Sequence, residues 1–255
     1  VSAPAASVDL LGVRVHAVDR KELIERVGAF VSGDRPATIG YANVHVLNTA
    51  ARDPELRRFL NSLDLCYCDG NGVKWAAAAT GQALTERMTG ADWIWDLAAA
   101  AEGRWRIFWL GGEPGVTEAA AARLRERHPH LDIHTDHGFH EEAAPLLARI
   151  NALQPDIVLV GMGTPVQERW VERWRGAIDA PVVWVLGATH DFVSGKVDRG
   201  PEWLHRDHEW LARLLVDPRR LWRRYLIGNV VFAGRVLGQR LRGEPRVPTS
   251  SAGRG

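Results

Sequence analysis

Ile157-Val158-Leu159-Val160-Gly161-Met162-Gly163-Thr164-Pro165, running on to Gln167-Glu168, joins an unbroken apolar run to a glycine-rich turn. A short run of branched aliphatic side chains suits a strand buried on both faces, and a helical pattern follows the turn. The same unit recurs to either side. Trp105 to Leu110 leads into Gly111-Gly112-Glu113-Pro114-Gly115 and a helix through Arg127. Leu63 to Cys68 leads into Asp69-Gly70-Asn71-Gly72 and another helix. Ala37 to Tyr41 precedes Ala42-Asn43 and a helix over Val44 to Ala51, Val13 to Val18 precedes a helix over Lys21 to Phe30, and Val182 to Leu186 closes the series. Strands alternating with helices predict a Rossmann-like α/β fold, a mostly parallel sheet with helices on both faces and its functional groups at the carboxyl ends of the strands.

The strand signals stop after Gly195. Helical stretches follow over Pro201 to Val216 and Pro218 to Leu241, the second mixing Trp222, Tyr225, Leu226, Val230, Phe232 and Val236 with arginines. The expected organisation is a core over residues 8–198, a basic helical appendage over 199–244, and flexible ends at 1–7 and 245–255. Periodicity alone leaves two uses for the second helix: lying in a membrane interface, or packing its apolar side on the core.

The chain has 255 residues, 46% of them hydrophobic, enough to bury a full core. Its net charge of +1 conceals a division. Residues 1–198 carry 20 Lys/Arg against 26 Asp/Glu, whereas 199–246 carry 11 Arg against 5 Asp/Glu. Such a segment calls for an anionic partner: phosphate, nucleic acid or an acidic membrane leaflet. All its cations are arginine, which grips phosphate bidentately, although lysine is scarce throughout the chain. Cys66 and Cys68 fall on one face of a strand, too close for an unstrained disulfide, and predict a reduced intracellular setting. No second cysteine pair exists and the histidines are scattered, so no metal is expected. Without a long apolar span or a signal core, the chain is expected to be neither integral nor exported by that route.

The polar candidates sit at strand ends. Asp69 begins an Asp-Gly turn where its carboxylate projects into a cleft as a general base would, or closes an Asx turn or helix cap. Arg87 binds an anion or pairs with Glu86 or Asp92. Gly111, Gly112 and Gly163 let a phosphate approach the backbone at a helix N-terminus, or merely close their turns.

The ordered set Asn43, Asp69-Gly70, Glu86-Arg87 with Gly90 and Asp92, the Gly111 to Gly115 turn, and Gly161-x-Gly163-x-Pro165-x-Gln167-Glu168 continues through Asp191-Phe192 with Gly195 and Arg199-Gly200-Pro201. It ends in Glu209-Trp210, Arg213-Leu214, Pro218, Arg220 and Arg223-Arg224. The whole resembles the WecG/TagA/CpsF glycosyltransferase family. The resemblance implies an inverting, metal-independent enzyme of surface-polymer assembly. Its partners would be a UDP-sugar donor, a polyprenyl-diphosphate-linked sugar acceptor and the inner face of the cytoplasmic membrane. It implies no cofactor, no nucleic acid, and leaves a homo-oligomer open. It places Asp69 at the catalytic base, Asn43 and Arg87 in the substrate cleft, and Arg213, Arg220 and Arg223 at the UDP diphosphate. Gln167, Glu168 and Asp191 belong to its signature and join the substrate-binding set.

The chain contains no Asp-x-Asp motif, so arginine would neutralise the departing diphosphate where other transferases use a metal. Tyr41 stands where the family commonly has a small hydroxyl residue, and His190 lies in a turn that is usually glycine-rich. Both are expected to reshape the sugar pocket, leaving N-acetylmannosamine, its uronate and glucose open as the donor sugar. Two other readings compete: a non-catalytic membrane-associated nucleotide-binding assembly protein, and a nicotinamide-dependent oxidoreductase, whose glycine spacing and acidic ribose partner are missing.

Overall fold

The structure is a computed structural model that describes residues 5–197, Trp222 and residues 226–242. The helix expected over Pro201 to Val216, the helix start at Pro218, and Arg213, Arg220 and Arg223 lie outside the described residues.

The sheet has eight strands: β1 (Ser7–Leu10), β2 (Val13–His16), β3 (Ala37–Ala42), β4 (Leu65–Cys68), β5 (Ile107–Gly111), β6 (Ile133–Asp136), β7 (Ile157–Gly161) and β8 (Val182–Val185). Their order is β1-β2-β4-β3-β8-β7-β5-β6. Only the β1–β2 hairpin is antiparallel, and every other pair runs parallel. The mostly parallel α/β architecture predicted from the alternating runs is therefore the observed one. Every residue of β4, β5, β7 and β8 is buried, as double-sided helix cover requires.

The helices are α1 (Arg20–Val31), α2 (Val44–Ala50), α3 (Pro54–Ser62), α4 (Asn71–Ala79), α5 (Gly90–Ala101), α6 (Val116–Arg127), α7 (Ala143–Leu153), α8 (Val166–Trp174), α9 (Thr189–Val193) and α10 (Gly228–Arg242). Local chemistry starts several of them. Asp19 caps α1 at Glu22 N, Asn43 caps α2 at Val46 N, and Asp53 caps α3 with a proline in its first turn. The core centres on Trp93 stacked on Trp184, ring centroids 4.0 Å apart, with Tyr67 edge-on to both at 6.0 and 6.1 Å.

Of the two uses open to the second C-terminal helix, core packing accounts for one side of α10. Phe232 and Val236 are buried. Arg235 Nη1 donates to the Asn48 carbonyl and side chain at 2.9 and 2.7 Å, Asn48 Nδ2 donates to Gly228 O at 2.8 Å, and Gln239 Oε1 accepts from Leu11 N at 3.0 Å. The helix thereby straps α2 to the β1–β2 hairpin.

Replacing Trp184 by Ala should lower the unfolding free energy by about 3–5 kcal/mol, the range for deleting a large buried aromatic. Urea denaturation checks this; a loss under about 1 kcal/mol would mean that the stacked pair does not organise the core.

Candidate active site

Five neighbouring strands bring their carboxyl ends into one row. In order these are β4 with Asp69, β3 with Asn43, β8 with Gly187, β7 with Gly161 to Gly163, and β5 with Gly111 and Gly112. Four strand spacings make the row roughly 19 Å long, enough for an extended ligand laid across the strand ends. The N-termini of α2, α4, α6, α8 and α9 open along this edge and give it a positive backbone potential.

At one end, Asp69 is held by its backbone and by its neighbour. Its N–H donates to Ala42 O at 2.9 Å, and Asn43 Nδ2 donates to its Oδ2 at 2.9 Å. The other face of the Asn43 amide caps α2, with Oδ1 accepting from Val46 N at 2.9 Å. One amide therefore starts a helix and orients a carboxylate. The segment carrying Arg87 runs alongside: Asp69 bridges in parallel to Met88, whose N–H donates to Cys68 O at 3.2 Å. Arg87 Nη2 lies 3.4 Å from Asp92 Oδ2, an oxygen that also accepts from Thr89 Oγ1 at 2.7 Å. Of the two acidic partners open to Arg87, Asp92 is thus the one it meets.

The middle of the row is a buried polar network. Gln167 Nε2 donates to Glu168 Oε1 at 2.9 Å and reaches Tyr41 OH at 3.4 Å, while Gln167 Oε1 accepts from Gly187 N at 3.1 Å. Thr164 Oγ1 donates to the same Glu168 oxygen at 2.8 Å. Gln167 is 0%, Glu168 2% and Tyr41 7% exposed. These three side chains form a buried floor beneath the row of strand ends. Burial raises the Glu168 carboxyl above the usual range, against the hydrogen bonds from Gln167 and Thr164, and its Oε2 is buried without a partner among the described residues. Burial, then the nearby Glu168, pushes the Tyr41 phenol well up. The phenol leaves no room for a side chain opposite, since a Cβ on Gly187 would lie 2.7 Å from Tyr41 OH.

At the far end, Gly111 and Gly161 face each other across β5 and β7. Gly111 has φ +147°, and a Cβ there would come 2.1 Å from Gly161 O, so the close approach requires glycine. Asp191 is half-buried, with Oδ1 3.7 Å from His190 Nε2. Cys66 and Cys68 are buried free thiols with pKa values raised by burial, the Cys68 thiol to about 12, and neither is a nucleophile.

The structure thus brings Asn43, Asp69 and Arg87 together, joins Tyr41, Gln167 and Glu168, and gathers Gly111, Gly112, Gly163 and Asp191 farther along the row. Sequence reasoning missed Thr164 and Gly187 as members of the floor and did not foresee the burial of His190. It also takes the histidines as scattered, whereas Asp136, His137 and His140 hold ligand-type atoms within 4.8 Å of one another at the end of β6. This group is satisfied by its own bonds. Arg149 Nη1 meets Asp136 Oδ2 at 2.7 Å, His140 Nε2 and His137 N meet Oδ1 at 3.1 and 2.8 Å, and the two imidazoles stack 7° from parallel, so their lone pairs do not converge.

Fold and site together describe a doubly wound α/β protein whose polar groups line the carboxyl edge of a parallel sheet. The chain belongs to the glycosyl transferase WecG/TagA/CpsF family, whose model matches residues 8–246. It is similar to the N-acetylglucosaminyldiphosphoundecaprenol N-acetyl-beta-D-mannosaminyltransferase of Staphylococcus aureus strain NCTC 8325 / PS 47, with 28% identity over 223 residues, covering 86% of this chain and 88% of the relative. The protein of the same name from strain MRSA252 matches with the same identity and coverage.

Asn43→Ala should cost about 1 kcal/mol through the lost cap and also lower turnover. Asn43→Asp should restore the cap but not the turnover, because it sets a second carboxylate where Asp69 now receives a donor. Parallel urea melts and rate assays test the separation; recovery of both by Asn43→Asp would deny Asn43 its role at Asp69.

Proposed function

We propose that this protein transfers a sugar, with inversion, from a UDP-sugar to a polyprenyl-diphosphate-linked sugar acceptor in surface-polymer assembly. The observation that carries the reading is the carboxylate of Asp69, oriented by Asn43 at the end of a row of helix N-termini and glycine turns. Asp69 removes the proton from the acceptor hydroxyl as that oxygen attacks the anomeric carbon. The new glycosidic bond forms on the face opposite the departing UDP, and the bond from the anomeric carbon to the diphosphate oxygen breaks. Negative charge collects on the diphosphate, where the helix N-termini that follow the Gly111–Gly112 and Gly163 turns favour an anion and Arg213, Arg220 and Arg223 supply positive charge. Arg87, Gln167, Glu168 and Asp191 complete the substrate-binding set, with Tyr41 and the Gln167–Glu168 floor setting the depth of the sugar pocket.

The names of the Staphylococcus aureus relatives support a diphosphoundecaprenol acceptor bearing N-acetylglucosamine and transfer of N-acetylmannosamine. In this chain, Tyr41 in the floor keeps the N-acetylmannosamine uronate and glucose in play as well. Among the described residues no helix is long and apolar enough to cross a membrane. The outer side of α10 offers a lipid contact instead. Val230, Leu237 and Leu241, with Leu226 just before the helix, are 51–77% exposed and recur at helical spacing away from Phe232 and Val236. This stripe supports docking at the inner membrane face, where the acceptor's lipid tail resides.

The test is UDP release by the purified full chain from a panel of UDP-sugars, with and without a short-chain polyprenyl-diphosphate-N-acetylglucosamine acceptor, in excess chelator. Release that requires the acceptor and persists in chelator is expected. Tight UDP binding with no transfer from any donor would favour the non-catalytic assembly reading instead. Truncation is a poor probe of the appendage because it also strips α10 from α2, so point variants are preferable. Arg213→Ala, Arg220→Ala and Arg223→Ala should each lower kcat by about 10²-fold, the scale of losing one donor to developing charge. Three near-normal rates would remove the appendage from the chemistry.

A further inference from the structure

His190, in the first turn of α9, lies beneath both glycine turns. A Cβ on Gly112 would meet its Cδ2 and Nε2 at 2.7 and 2.8 Å, and a Cβ on Gly161 would meet its Nδ1 at 2.8 Å. The residue is 4% exposed, with the Trp109 ring edge-on at 6.3 Å. Nδ1 is buried and has no hydrogen-bond partner among the described residues. An orphaned ring nitrogen destabilises the fold that buries it, a cost that an apolar side chain would not carry. The nitrogen therefore points to a ligand that completes it, and the turns above it are built for an anion.

We infer that His190 is an anion-binding residue of the nucleotide cleft, which takes a proton from solvent as the donor's diphosphate seats on the Gly111–Gly112 and Gly161–Gly163 turns and so meets the incoming charge as an imidazolium. The inference rests on the reading of this cleft as a UDP-sugar site and adds to it a proton coupled to donor binding.

The surroundings set the sign. In the empty site, burial holds the imidazole below the usual histidine range. Asp191 opposes that shift and Lys196 reinforces it. Lys196 is itself paired with Glu113 at 3.0 Å. From α6, Arg123 Nη1 donates to Val193 O at 3.1 Å, and α5 meets α9 where Gly90 packs on Thr189, with Asp92 held by Arg87 and Thr89. Among the described residues, the strands beneath bring Trp109 and glycine backbone against the ring. The ring is therefore neutral near pH 7 when the site is empty, and a diphosphate raises its proton affinity. Binding then takes up a proton, and affinity strengthens as pH falls between the pKa values of the free and bound states, by up to about tenfold per pH unit.

The experiment is isothermal titration calorimetry of the full chain with a panel of UDP-hexoses, without acceptor, in buffers of different ionisation enthalpy and across pH 6–8. Both phosphates of a UDP-hexose are esterified, so the probe keeps its charge across that range. The wild type should take up a substantial fraction of one proton per ligand and bind more tightly at low pH. His190→Phe should still fold, bind more weakly, and show neither proton uptake nor pH dependence. Binding without proton uptake by the wild type, or uptake that survives in His190→Phe, would overturn the inference. Failure of every UDP-hexose to bind would instead overturn the nucleotide reading, and this inference with it.

Discussion

The 2.9 Å hydrogen bond from Asn43 Nδ2 to Asp69 Oδ2 ties together the two strand ends on which the site depends. It exists because β3 and β4 pair in parallel with Ala42 opposite Cys68, so that the next residue on each strand leaves the sheet at the same level. The same asparagine starts α2, and α2 is the surface on which α10 docks through Asn48 and Arg235. The position of the carboxylate is thus linked through one short helix to the strap that bears the exposed apolar stripe.

Farther along the row, backbone takes over from side chains. Gly111 comes close to Gly161 O and both turns come close to His190, so no side chain intervenes between the strand ends and the helix N-termini that follow them. Between the two ends, Gln167 fixes the floor by spanning Tyr41, Glu168 and the Gly187 N–H with a single amide. The Tyr41 phenol packs against Gly187 so closely that a side chain there would collide with it.

Much of this was legible in the chain itself. The fully buried strands β4, β5, β7 and β8 read as continuous apolar runs, and the punctuation after each marked the functional edge. The edge strands β1 and β6 did not read as strands, because Ser7, Asp9, His134 and Asp136 break their apolar pattern. Asp69 stood out as a polar group in an Asp-Gly turn at a strand end, where an Asx turn or helix cap was the alternative, and the base role came from the family resemblance. The inward orientation of Gln167, Glu168 and His190 was not legible, since polar residues beside a turn look like cleft-lining groups until the sheet brings Tyr41, Gly112 and Gly187 around them. Of the two alternatives open to the last helix, core packing is the one seen, and on one side only. One side of α10 packs on the core, and the other leaves Val230, Leu237 and Leu241 in solvent.

The central claim is that Asp69 takes the acceptor's proton. The most direct measurement is the turnover of Asp69→Asn beside its affinity for the UDP-sugar, under conditions where the wild type transfers sugar. The account predicts that turnover falls by about 10²–10⁴-fold, the usual worth of a general base, while donor affinity and unfolding free energy stay close to wild type. Turnover near the wild-type rate, in a variant that binds donor normally, would contradict it.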